Sequence, residues 1–459
     1  MKFPEKRLRR TAAAAVGGSA VLAFALTGCG GGQAAPNDGG SATEGTINWW
    51  SWTPTNDVAE QEIAAFNEEY PDIEVIYKKV PIEDYAASLK PALASNDGPD
   101  VYTVYNSGAF GAEAFAPFAT DLTPAVEQML GEDWESKVYD GGVKAYTIDD
   151  RLVAAQYAKA GAGMMWINQG MFDQYDLEPP TTLEEWVSVC ETFRENGLGC
   201  FREGMASSGF AADTLHSIMD SVKPGVWTDA LSGDGKWSDP AVAESLEILR
   251  TLSEEGILDE GAVGIEQYPD VNNAFLTGKV PMVQMGTWYQ QNASLPTLTA
   301  ALEGAGVSSE TPVITIMPMP FPDVAGKGNP PTLFADVDAG NSVNAKSKNL
   351  NAATTFAVWL GHSEAGQQVV TNSLDSFATL DGIVPQWDEI ELVAPELQRP
   401  ALEEITTHLD QATDSRSFGL SAEVSQAIID ACQAMLISDK SGQEAADDIQ
   451  AVAEAAQNR

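Results

Sequence analysis

The chain is short of positive charge. Its 459 residues hold 25 Lys and Arg against 67 Asp and Glu, a formal net charge of −42. Phosphate backbones are gripped by clustered Lys and Arg, so nucleic acid is excluded as the main partner. Histidine is scarcer still, at three residues (His216, His362, His408), and cysteine is limited to four. Little is left from which to build a His/Cys metal centre or a histidine-dependent catalytic triad, so no metal or other cofactor is expected. No C-x-x-C pair occurs, which leaves zinc ribbons and thioredoxin-type sites unsupported. There is no EF-hand loop and no P-loop, and Gly326-Lys-Gly-Asn-Pro-Pro331 is not G-x-G-x-x-G. Gly361-His-Ser-Glu-Ala365 lacks the last glycine of a nucleophile elbow.

What is present starts at the N-terminus. Lys2, Lys6, Arg7, Arg9 and Arg10 precede an apolar run from Ala12 to Leu26, the order of a secretory signal. Gly17, Gly18 and Ser19 interrupt a run already short for a bilayer, which argues against a membrane-spanning helix. Leu26-Thr-Gly-Cys29 resembles the bacterial lipobox. That resemblance implies a signal peptide over 1–28, cleavage before Cys29, and a lipid on its thiol that holds the protein at the extracellular face of the cell membrane. Residues 29–45, Gly-rich and without a large apolar side chain, read as a flexible tether, so the folded body is expected from Thr46. Outside the membrane a disulfide is permitted. Cys190 and Cys200 flank a helix end and a glycine turn, which makes a local bridge plausible, whereas Cys432 falls in an amphipathic run and reads as a buried thiol.

The body alternates strands and helices. Thr46–Trp50, Ile73–Val80 and Asp100–Tyr105 read as strands, with helices over Val58–Tyr70 and Tyr85–Leu93 between them. This β-α-β-α-β order predicts a parallel, doubly wound α/β sheet. Further strands are expected over Ala162–Ile167 and Val280–Met285. A capping-box pattern, Thr182 with Glu185, opens a helix. Residues 311–322, with four prolines, read as an extended crossing segment. Residues 350–371, 398–408 and 421–456 read as late helices.

The ordered pieces then resemble the extracellular solute-binding proteins of ABC importers, family 1, the maltose-binding type, over roughly residues 46–390. Gly98-Pro-Asp-Val101 is similar to the family's PDV strand, Met165–Phe172 to YYNKDLF, and Leu177–Trp186 to G-x-x-x-PPKTWDEL. Phe275–Met282 followed by Met285-Gly-Thr-Trp288 resembles F-x-x-GKAAM…GPW. Met317-Pro-Met-Pro320 matches the PLP crossing, and Asp338–Val343 the glycine-rich strand after it. The chain departs from the pattern in two places. The GKVYGLPY segment is replaced by Asp149–Tyr157, where Tyr157 alone carries over, and the usual Lys after Asn is Gln169.

The resemblance implies a two-lobed α/β fold like that of periplasmic binding proteins. Each lobe would be a mostly parallel sheet flanked by helices, with a hinge between lobes and ligand in the cleft. The N-terminal lobe would take 46–155 and 312–355, the C-terminal lobe 156–311 and 356–459. Partners would be a carbohydrate, an oligosaccharide above all, and the permease subunits of the importer. The protein would act as a monomer and would be no enzyme. Sugar faces suit aromatic rings, and sugar hydroxyls suit amides and carboxylates. Trp50, Trp52, Trp288 and Trp387 fall where the family puts its cleft, with Tyr105, Asn106, Tyr157 and Asp338 at matching loop and strand positions. Trp166, Trp186 and Trp359 have core spacing. Asp338 could equally sit in a turn, Asn106 could cap a helix, and Trp387 could be surface packing. A polyol or another non-sugar solute remains an alternative, as does an anchored glycoside hydrolase, which needs a carboxylate pair. A phosphorylated ligand is disfavoured because the candidate loops carry almost no Arg or Lys.

Overall fold

The computed structural model describes residues 39–95, 98–206 and 209–457. The expected signal peptide, Cys29 and the first part of the tether lie outside them. The last part of the tether is held in place. Asn351 donates its backbone N–H to the Gly39 carbonyl and its side-chain amide to that of Gly40, and Thr355 donates to Ala42. The ordered body therefore starts before Thr46, because backbone carbonyls in 39–42 find donors on a neighbouring helix.

The first sheet has the order β2-β1-β3-β11-β6. Its strands are β1 (Gly45–Ser51), β2 (Ile73–Lys79), β3 (Val101–Val104), β6 (Ala155–Ala162) and β11 (Phe334–Val343). In β1 the two-residue period buries Ile47, Trp49 and Ser51 and turns Thr46 and Asn48 outward. Trp49 closes the core by donating its indole N–H to Thr103 and Asn341, each at 3.2 Å. A two-residue hairpin joins β4 (Thr147–Ile148) to β5 (Arg151–Leu152). Asp149 and Asp150 take φ of 51° and 59° there, as an inverse turn requires and as a short Asp tolerates.

The second sheet has the order β10-β7-β9-β8, from β7 (Met164–Asn168), β8 (Phe201–Arg202), β9 (Met282–Gln284) and β10 (Ile316–Pro320). Among the named strands of the described residues, parallel pairing is confined to β2-β1-β3 and β8-β9. The strands that cross between the sheets enter antiparallel, β11 beside β3 and β6, and β10 beside β7.

Separate cores underlie the two sheets, and they redraw the expected lobe boundaries. The helices Leu350–His362 and Glu364–Asn372 bury Ala353, Phe356, Trp359 and Val370 in the core of the first sheet, although 356–459 was assigned to the second lobe. Residues 316–320, assigned to the first lobe, are an edge strand of the second sheet. The helices Ala422–Ile437 and Gly442–Gln457 pack in the core of the second sheet. Trp166, Trp186 and Trp359 are fully buried core residues. The helix Leu183–Glu195 starts at the capping box. Thr182 accepts from the Glu185 N–H at 3.3 Å, and Glu185 reaches back to Thr181 at 2.8 Å. That helix ends beside a Cys190–Cys200 disulfide, and Cys432 is a buried free thiol.

Candidate ligand site at the lobe junction

The site is organised by a residue that the sequence reading did not single out. The segment between helices Pro395–Gln411 and Ala422–Ile437 is folded by Asp336 on β11. The Asp336 carboxylate accepts the backbone N–H groups of Ser417 (2.7 Å) and Phe418 (2.9 Å) and the Ser415 hydroxyl (2.9 Å). This aims Arg416 into the junction. Its Nε and Nη2 each donate to Asp213 at 2.8 Å, a bidentate pair with a helix of the second lobe. Its Nη1 faces Asp338 at 3.4 Å and the Tyr105 hydroxyl at 3.5 Å, both in the first lobe. The guanidinium carbon lies 4.6 Å from the Trp288 ring centroid, within cation–π range.

Local backbone geometry sets each partner. Asp338 lies where the β11–β6 register slips between Val337 and Ala339. Such a bulge re-aims a side chain, and here it turns a strand carboxylate toward the cleft. Trp288 follows Gly286, where a Cβ would fall 2.0 Å from the Trp288 ring and 2.4 Å from the Gly161 carbonyl oxygen. Only glycine lets the ring fold back over the chain. The Trp288 indole N–H donates to Tyr268 at 3.2 Å, and Phe210 packs edge-on at 6.0 Å.

Burial dominates the electrostatics. Desolvation lifts the Asp338 carboxyl from 3.8 to about 6, against the pull of Arg416 and helped by Asp336 and Asp213. It also raises Asp213, although Arg416 opposes the shift. For Arg416 burial acts the other way, but Asp213, Tyr105 and Asp338 outweigh it and hold the guanidinium charged.

A second polar junction lies beside the first. Asp375 accepts from Thr53 at 3.0 Å and from Gln291 at 2.6 Å, and Gln291 also donates to the Trp288 carbonyl at 3.0 Å. Desolvation lifts Asp375 to about 6 as well.

The expected residues divide. Trp288, Asp338 and Tyr105 meet at Arg416. Trp52 joins them through rings, edge-on to Phe110 (5.1 Å) and Tyr105 (6.4 Å). Asn106 is buried and donates to the Val337 carbonyl at 2.9 Å, so it pins the loop after β3 to the bulge. Trp50 alternates away from buried Trp49, and its ring is covered by the Lys78 ammonium at 3.5 Å. Tyr157 is fully buried and donates its hydroxyl to Glu62 at 2.7 Å. Trp387 sits in a short 3₁₀ turn, half-buried against the core that contains Leu392 and Leu402. The expectation of cleft loops almost free of cations is corrected by Arg416. The available signal was one arginine between serines, Ser415-Arg-Ser417, in a chain poor in cations.

The family description "bacterial extracellular solute-binding protein" matches residues 49–367, and the chain belongs to that family. An ABC transporter extracellular-binding protein of Pyrococcus horikoshii is 23% identical over 238 residues, 50% of this chain and 54% of that one. The melibiose/raffinose/stachyose-binding protein MelE of Bacillus subtilis is 24% identical over 188 residues, 39% of each chain. The aligned parts thus span about half or less of these curated relatives. The maltose-bound structure of T. maritima MalE3 superposes with a TM-score of 0.67 at 19% identity, over 90% of this chain and all of that one, a likeness of fold. Among the described residues no helix is long and apolar enough to cross a membrane.

Proposed function

We propose that this protein captures a carbohydrate, in the first place an oligosaccharide, between its two lobes and delivers it to the permease of an ABC importer. The observation that carries the reading is the convergence on Arg416. An aromatic platform and a carboxylate of the second lobe, Trp288 and Asp213, face a carboxylate and a phenol of the first, Asp338 and Tyr105. Small-molecule sites favour such domain junctions, with apolar rings and a few convergent polar groups. A ligand that touches both sides only when the lobes meet shifts the population toward the closed form. The family and the binding proteins it resembles support transport rather than turnover. Trp52, Tyr105, Trp288, Asp338 and Arg416 form the ligand shell in this reading. In this reading the lipobox-like Leu26-Thr-Gly-Cys29 supports a lipid on Cys29 that would hold the protein at the cell surface.

Isothermal titration of the purified chain with a panel of mono- and oligosaccharides and polyols tests the reading. Saturable binding of one carbohydrate class, with sugar recovered unchanged, is the expected result. Binding restricted to a polyol would replace the ligand class, and release of product would overturn the transport reading.

A further inference from the structure

Away from the ligand shell, the fully buried His216 is stacked between Trp227 (centroids 4.5 Å apart) and Phe334 (3.8 Å). Its apolar faces are covered, yet neither ring nitrogen has a hydrogen-bond partner among the described residues. A buried polar group left unmade costs about 1–3 kcal/mol, so an orphan of this kind needs a physical account.

The edge of the ring supplies one. His216 Nε2 faces Asp220, one helical turn on, at 3.6 Å. One ligand atom from each of His216, Asp220 and Asp414 lies within 4.8 Å of the others. Asp220 is held from outside the trio, by the Gly225 N–H at 3.3 Å and by the Thr332 hydroxyl. Metal-ligating carboxylates are held in this manner by outer hydrogen bonds. Among the described residues no Lys or Arg pairs with Asp220 or Asp414, so two carboxylates face a ring nitrogen without a cation between them.

We propose that His216, Asp220 and Asp414 form a divalent-metal site of the zinc class. Tetrahedral coordination with bonds of about 2.0–2.1 Å places donor atoms roughly 3.4 Å apart. His216 and Asp220 are nearly at that spacing, and Asp414 closes the remainder from a loop. One nitrogen and two carboxylate oxygens suit a borderline ion better than calcium or magnesium, which prefer all-oxygen shells. The fourth position falls to water. The ion joins two segments, the helix Phe210–Val222 and the loop that presents Arg416 two residues after Asp414, while Thr332 at the entry to β11 steadies Asp220. It therefore fixes the loop of the ligand site from behind.

The test is zinc binding by the full chain, stripped with chelator, incubated with zinc chloride and desalted, with bound metal counted by mass spectrometry. The site predicts one zinc per chain, retained by His408→Ala and lost by at least tenfold in affinity in Asp414→Asn. Asp414 is partly exposed, so that variant keeps its fold, which circular dichroism checks independently. Calcium chloride should give no comparable retention. No zinc retained by the wild-type chain, or equal retention by wild type and Asp414→Asn, would overturn the site. Sugar titration plays no part in these readouts, so the proposal stands or falls apart from the transport reading.

Discussion

Asp213 grips the guanidinium of Arg416 with both carboxylate oxygens at 2.8 Å, more than two hundred positions away along the chain. The pair is nearly closed to water, at 11% exposure for Arg416 and 3% for Asp213. Removing one partner of a buried pair costs about 3–5 kcal/mol, because the other charge stays buried and unpaired. Arg416→Met should therefore destabilise the chain by about that amount in urea unfolding. Arg416→Met with Asp213→Asn should recover much of the loss. A double variant no more stable than the single would show that the ion pair is not the source.

Trp288 makes the ring contact on the same guanidinium. A stacking or cation–π contact contributes about 0.5–2 kcal/mol beyond burial. Trp288→Ala should weaken ligand binding by roughly tenfold with the fold intact, read by calorimetric titration. Gly286→Ala should reproduce part of the effect, since the new methyl collides with the ring. An unchanged dissociation constant in both variants would remove Trp288 from the site.

The raised carboxyls give stability a definite pH dependence. Asp338 and Asp375 titrate near 6 in the folded chain and near 3.8 when unfolded. Between those values the folded state binds more protons, so stability falls as pH rises from about 4 to about 6 and is then level as far as these groups are concerned. From pH 7 to 5 these two groups add stability while the buried, neutral His216 and His362 remove it, so the Asp338 contribution is read as the difference in melting temperature between the wild-type chain and Asp338→Asn. Asp338→Asn should lose its part of that gain, and an identical slope in that variant would contradict the assignment.

The Cys190–Cys200 bridge closes a short loop at the end of a helix. Chain-entropy reasoning gives such a loop about 2–3 kcal/mol. Reduction should lower the urea midpoint accordingly, and a Cys190→Ala, Cys200→Ala variant should show the same loss and be insensitive to reductant.

Local signals in the sequence located much of this. Alternation along the first strand shows that one of Trp49 and Trp50 faces the core but not which, and the Thr182–Glu185 pattern marks the start of its helix. Trp288 was legible from the motif that carries Gly286. Arg416 was not, because its partners Asp213, Asp338 and Tyr105 lie on three distant elements and no local period ties them together. Asp338 was legible as a position, but the bulge that aims it depends on strand pairing. Tyr157 matched a family position, yet packing turns it toward Glu62. The lobe boundary slipped for a similar reason. Amphipathic spacing shows that Leu350–His362 has an apolar face but not which sheet that face covers.

The central claim is that a carbohydrate closes the two lobes over Arg416 and Trp288. Tryptophan fluorescence of the purified chain, titrated with mono- and oligosaccharides, tests it most directly. The account predicts a saturable change with one carbohydrate class, its midpoint moved roughly tenfold higher in Trp288→Ala. A flat response across the whole panel from a demonstrably folded protein would contradict it.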